Sequence, residues 1–184
     1  DMESNDIRGL NYTYNADGYI WKYLGVDKTT ARAASENDQN YIIYRLADVL
    51  LMKAEALIMQ GHNEDAADLI DRTRERAGLG ETTLSDDRMV MLETLLVERQ
   101  KEFFGEGKNW FDLLRIGLRS EQLNDTQYKT LFVEQALKAV GASRQSLGRA
   151  TLANSGSWYL PYSEDELSKN PLLEQSDYYQ SISN

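Results

Sequence analysis

Residues 41–79, YIIYRLADVLLMKAEALIMQGHNEDAADLIDRTRERAGL, decide the fold. Ile43, Leu46, Leu50, Ala54 and Leu57 recur at steps of three or four, the period of a helix with one apolar face, and Gly61 stands where a left-handed residue ends such a run. Asn63 is the candidate N-cap of a second helix, on which Ala66, Ile70, Thr73 and Ala77 share a face before Gly78 stops it. So short a turn predicts antiparallel packing. Small residues where the helices approach and large ones between them match a tetratricopeptide-like helix pair. A buried Leu contributes only about 1.5–3 kcal/mol, so one pair needs neighbours.

Either the remaining helices or a part of the protein outside this chain must supply them. Ser85, or the Asp pair after it, caps a third predicted helix with Met89, Leu92, Leu96, Arg99 and Phe103 as its stripe. A shorter helix follows GEGKN, with Trp110, Leu113 and Leu114 on one side, and another is expected from about Gln127 to Val140. The stretch GASRQSLGRATLANSGS (141–157) reads as loop by composition. The tail holds both prolines and predicts an ordered strap anchored by Trp158, Tyr159 and Leu160. Before the first helix, Tyr12 and Tyr14, then Tyr19, Trp21 and Tyr23, alternate on either side of NADG, which predicts a short β-hairpin or extended segment. The expected fold is therefore mainly α. It comprises an aromatic segment and loop (1–40), a helical core (41–118), and a variable helix, loop and strap (119–184), and 184 residues suffice for one globular unit.

Thirty acidic against twenty basic residues give a formal charge of -10, which repels phosphate backbones and anionic membrane surfaces and argues against nucleic acid as a partner. Without cysteine there are neither disulfides nor thiolate metal sites. No apolar run approaches the roughly 20 residues of a membrane span. DMESNDIRGL lacks the basic start and apolar centre of a signal peptide, and an initial Asp suggests a trimmed or excised product.

Charged residues inside the helical runs pose the functional question. Asp48 and Glu55 lie on one stripe beside the apolar face, in principle a general acid and base or a pair of metal ligands. Arg99, however, sits on an apolar stripe, and a buried guanidinium needs a carboxylate, because breaking such a pair costs about 3–5 kcal/mol. Structural ion pairs are the favoured reading. His62, in GHNED, has no HExxH-type company and reads as a turn residue. There is no GxSxG, and GEG is too short and acidic for a phosphate loop. No catalytic residue, metal ligand or cofactor is expected; a glycosidase would need two carboxylates facing each other at roughly 5–10 Å. The aromatic cluster has two readings, half-buried strand residues or a platform on which sugar rings stack while Asn and Asp bond their hydroxyls.

Four stretches together resemble the C-terminal part of the SusD/RagB family: YRLADVLLMKAEAL (44–57), DRTRERAGL (71–79), LLVERQKEFFGEGKNWFDLLRIG (95–117) and YLPYSEDELSKNPLLEQSDYY (159–179). The resemblance implies a non-enzymatic, glycan-binding surface lipoprotein of the outer membrane that hands oligosaccharides to a SusC-like TonB-dependent transporter. It implies that Arg45, Asp48, Glu55, Glu98, Arg99 and Glu102 belong to the scaffold. Typical members are more than twice as long, with a signal peptide, a lipidated cysteine and further tetratricopeptide helices, so the chain is expected to be a C-terminal fragment. Tyr162 stands where a second proline usually follows Pro161. Tyr12, Tyr14, Tyr19 and Trp21 are the candidate ligand contacts, since the corresponding segment supplies stacking residues in relatives. The alternative function is a tetratricopeptide-like module that binds a protein segment in a helical groove.

Overall fold

Helical periodicity carries through to the computed structural model, which describes residues 5–9, 12–36 and 38–182. In chain order the helices are α1 (Trp21–Leu24), α2 (Leu46–Gln60), α3 (Asn63–Arg76), α4 (Arg88–Glu102), α5 (Asn109–Leu123), α6 (Thr126–Leu137), α7 (Ala142–Leu152), α8 (Glu164–Lys169) and α9 (Asp177–Ile182), with no strand among the described residues. Where length suggests one globular unit, the chain divides into two compact units, Asp1–Asp112 and Leu113–Asn184.

In the first unit α2 and α3 pack together, and α4 packs on both. Left-handed Gly61 (φ +81°) closes α2, its N–H donating to the Ile58 carbonyl. The face of α3 is the one its spacing predicts: Ala66, Ile70, Thr73 and Ala77 are all buried. The start and face of α2 are not. Residues 41–45 are non-helical, and Arg45, with extended backbone, is the N-cap. The buried stripe is Ala47, Leu51, Ala54 and Ile58 with Asp48 and Glu55, while Leu46 is 68% exposed and Ile43 faces solvent too. The carboxylates predicted beside the apolar face thus lie within it, because cations meet Asp48 there and remove the penalty for burying charge.

Other local readings change for equally specific reasons. Asn63 is the first helical residue rather than the cap, and its Nδ2 donates to the Ser85 carbonyl at 2.9 Å. Asp87 caps α4, accepting from the N–H of Met89 at 2.7 Å. The NADG turn forms, with the Asn15 N–H donating to the Tyr19 carbonyl at 3.0 Å. A one-turn helix follows it in place of a second strand, turning Trp21 inward.

The second unit has its own core of Ile116, Tyr128, Phe132 and Trp158. Residues 142–152, read as loop, are helix α7. A Cβ on Gly148 would stand 2.5 Å from Leu137 Cδ2, so that glycine permits close approach of α7 to α6 instead of breaking a helix. Of the three expected tail anchors Trp158 is the buried one: its ring lies 4.4 Å from that of Phe132 and its Nε1 donates to the Leu152 carbonyl at 2.9 Å. Tyr159 and Leu160, expected as further anchors, are exposed. Within the strap the Gln175 amide accepts from the Tyr162 N–H at 3.2 Å and donates to its carbonyl at 3.0 Å.

Candidate functional site

Two groups of residues in the first unit hold the chemistry that the sequence singles out. The first is a buried charge network around the end of α4. Glu102, its last residue, receives Arg8 at 3.0 Å and also pairs with Arg45 and Arg76. Glu98, one turn earlier, receives Arg8 at 2.6 Å and the Thr73 hydroxyl at 2.9 Å. Arg99 donates to Asp48 at 3.0 Å and to both oxygens of Asp112 at 2.8 Å, and Lys108 completes the surroundings of Asp48. Glu55 is buried in the same face of α2. The Arg45 and Arg99 guanidinium carbons lie 4.7 and 4.8 Å from the Phe103 ring centroid, which adds cation–π attraction in a desolvated place.

The loop after α4 closes the network. Gly105 and Gly107 both have positive φ, which a side chain would strain, and a Cβ on Gly107 would meet the Tyr41 hydroxyl at 2.7 Å. The turn they make aims the buried Glu106 carboxylate at Arg45 (2.9 Å) and Lys22 (2.7 Å), while its carbonyl accepts from Tyr41 at 2.6 Å.

Glu102 and Asp48 are poor proton donors. Burial by itself raises the pKa of Glu102, but hydrogen bonds and charge from Arg76 and Arg45 outweigh it and hold the carboxyl at about 2. Asp48 is lowered likewise, burial being overcome by Lys108 and Arg99. Arg45 and Arg8 are correspondingly raised, since their hydrogen bonds to carboxylates outweigh the cost of burial. A general acid needs the opposite, a pKa near the working pH. Ionised and already paired, Glu102 and Asp48 suit a framework.

The second group is the aromatic segment, which the structure splits. Tyr12 and Tyr19 are 43% and 59% exposed. Tyr14 is half-buried, its ring 6.0 Å from that of Phe104. Trp21 is only 8% exposed and its Nε1 donates to the Asp27 carbonyl at 2.7 Å. Gly25 sits so close that a Cβ there would come within 2.4 Å of the indole nitrogen. The Trp21 face is thus taken up by packing, and the exposed rings of the segment are those of Tyr12 and Tyr19. Tyr12 also borders a cleft of about 390 Å³ with Ile7, Ile42 and Ala77, its charged wall including Arg45, Arg76 and Glu102.

Sequence reasoning missed Arg8, Lys22, Glu106, Lys108 and Asp112. The glycines around Glu106 were the one available signal, since a charged residue between two turn-formers is a side chain being aimed. Arg8 carries none: its partner Glu98 is 90 positions away. Among the described residues there is no acidic or histidine cluster fit for a metal ion, and no helix is long and apolar enough to cross a membrane.

Comparison with known proteins agrees along most of the chain. The model of the SusD family matches residues 4–179. SusD-like protein P38 of Formosa agariphila is 37% identical over 89 residues, covering 44% of this chain and 18% of that protein. SusD-like protein P25 of the same organism is 29% identical over 171 residues, covering 91% of this chain and 28% of the relative. The chain therefore spans little more than a quarter of P25 and less of P38. Among solved structures, a SusD superfamily protein from Bacteroides fragilis superposes with a TM-score of 0.53 at 28% identity, over 74% of this chain and 28% of that one.

Proposed function

The chain belongs to the SusD family, and on that premise we propose that it takes part in capturing oligosaccharides at the outer-membrane surface for hand-over to a SusC-like TonB-dependent transporter. The reading is one of binding without catalysis. Membership carries it, because the match runs through residues 4–179 and not through one motif. The local chemistry supports it. Tyr12 and Tyr19 offer apolar faces with polar edges in a setting of Asn15 and Asp17, the combination that suits a sugar's C–H face and hydroxyls.

Buried carboxylates in ion pairs fit the non-catalytic part of the reading, since Glu102 and Asp48 stay ionised and have their oxygens occupied. The relatives' greater length leaves room for a lipid anchor, further helices and the transporter contact elsewhere in a longer protein.

Affinity electrophoresis through gels containing a panel of polysaccharides tests the proposal, with Tyr12→Ala and Tyr19→Ala beside the parent chain. Retardation by at least one glycan, reduced in either folded variant, is expected. A folded chain that no glycan retards would overturn the capture reading for this region.

A further inference from the structure

The cleft beside Tyr12 differs in charge from the rest of the surface. Arg8, Lys22 and Arg45 are occupied by carboxylates. Arg76 is paired less completely: its Nη2 meets Glu102, its side chain is 58% exposed, and its Nε and Nη1 have no protein partner among the described residues. At the same aromatic ring Lys28 Nζ stands 4.7 Å from the Tyr12 centroid, held at the tip of a turn in which Asp27 accepts from the Thr29 and Thr30 N–H groups, each at 2.8 Å. Lys28 has no carboxylate partner among the described residues. Tyr12 thus has Lys28 at its ring and shares the lining of the cleft with Arg76.

The formal charge of -10 does not cancel this. Acidic side chains gather in another groove, of about 640 Å³, lined by Asp65, Asp68, Asp71, Glu75 and Glu81. Exposed charges more than about 8 Å apart are largely screened at physiological salt, so the cleft is governed by its own residues. A neutral sugar stacking on the Tyr12 face that Lys28 covers has to displace the ammonium and offers it nothing in return. A sugar bearing an anion gives Lys28 a new partner and fills the open edge of the Arg76 guanidinium, whose fork matches carboxylate and sulfate oxygens.

We infer that this cleft takes an anionic saccharide unit, carrying a carboxylate or a sulfate, with its ring against Tyr12 and its anion held by Arg76 and Lys28. The inference rests on the glycan-capture reading and narrows its ligand class.

Calorimetric titration of the full chain tests it with two matched pairs: oligogalacturonate against its methyl ester, and κ-carrageenan oligosaccharides against the desulfated form. At least one acidic probe is expected to bind about tenfold or more tighter than its neutral twin, the scale of one charge-assisted hydrogen bond. Preference within the first pair assigns the carboxylate, within the second the sulfate. Arg76→Gln and Lys28→Gln should each remove most of that preference, with Arg76→Lys restoring part of it. Glu102 keeps Arg8 and Arg45 in the Arg76 variants, and thermal melts verify their folding.

Neutral twins that bind as well as the acidic probes would sink the anionic site while leaving glycan capture standing. A preference that survives both glutamine variants would place it outside this cleft and also overturn the inference. Absence of binding by any probe, together with no retardation in the polysaccharide gels, would remove both readings.

Discussion

At the end of α4 the protein buries Glu98 and Arg99 almost completely, at 1% and 3% exposure, whereas the segment from Tyr12 to Tyr19 leaves aromatic rings in solvent. The contrast inverts the usual partition of residue types, and both halves have the same cause. A charge enters the core when its partners enter with it, as Asp48 and Asp112 do for Arg99. An aromatic ring stays outside when no apolar element reaches it. Trp21 marks the boundary: it shares the segment with Tyr12 and Tyr19, but the turn from Gly25 to Ala31 folds over it and gives its N–H an acceptor in the Asp27 carbonyl. Burial here follows partners rather than hydrophobicity.

The strongest way to break the comparison is Arg99→Ala. It leaves Asp112 without its guanidinium and Asp48 with Lys108 alone, and urea unfolding should show a loss of about 3–5 kcal/mol. A loss below about 1 kcal/mol would mean that the buried pairs are not what holds α2, α4 and the start of α5 together.

Acid titration comes next. The Glu102 carboxyl is lowered from its ordinary 4.5 to about 2. Because the folded value is the depressed one, the associated stability is fully present above about pH 4.5 and disappears as pH falls toward 2. That gap corresponds to about 3 kcal/mol. Asp48 acts in the same direction. Urea midpoints measured between pH 5 and 2.5 should fall steeply, and Glu102→Gln should flatten part of the slope. An equal slope in the variant would assign the acid sensitivity to other carboxylates.

Gly25→Ala sharpens the boundary inside the aromatic segment. The added methyl meets the Trp21 ring at 2.4 to 2.8 Å, and displacing the indole should cost about 1–3 kcal/mol, with Trp21 emission shifting to longer wavelength as water reaches it. Stability and emission identical to the parent would show that the indole is not confined. The smallest effect belongs to Tyr19→Ala, an exposed side chain, whose change in stability should stay within about 0.5 kcal/mol. A larger loss would show Tyr19 to be part of the packing and not of an available surface.

How much was legible beforehand varies with the range of the interaction. The face of α3 could be read because Ala66, Ile70, Thr73 and Ala77 repeat with the helical period, a local property. The face of α2 was misplaced by one position because Asp48 and Glu55 count as polar in any periodicity. The burial of Asp48 depends on Arg99 and Lys108, 51 and 60 positions away. Gly148 misled for a related reason: composition treats it as a helix breaker, while in the fold it admits Leu137. At the candidate site, the aromatic residues and the NADG turn were visible in the sequence. The division of those rings into exposed Tyr12 and Tyr19 and buried Trp21 was not.

The sequence by itself determined the mainly helical class, the family and the need of Arg99 for carboxylates, since helical period, motif order and the cost of an unpaired buried charge are carried by residues in line. Tertiary structure alone decided which acids answer which bases, that Glu106 joins them, that Lys28 stands over Tyr12, and that Tyr12 and Arg76 line one cleft. Ion pairing and solvent exposure depend on distance in space, and residues such as Arg8 and Glu98 become neighbours only when the chain has folded.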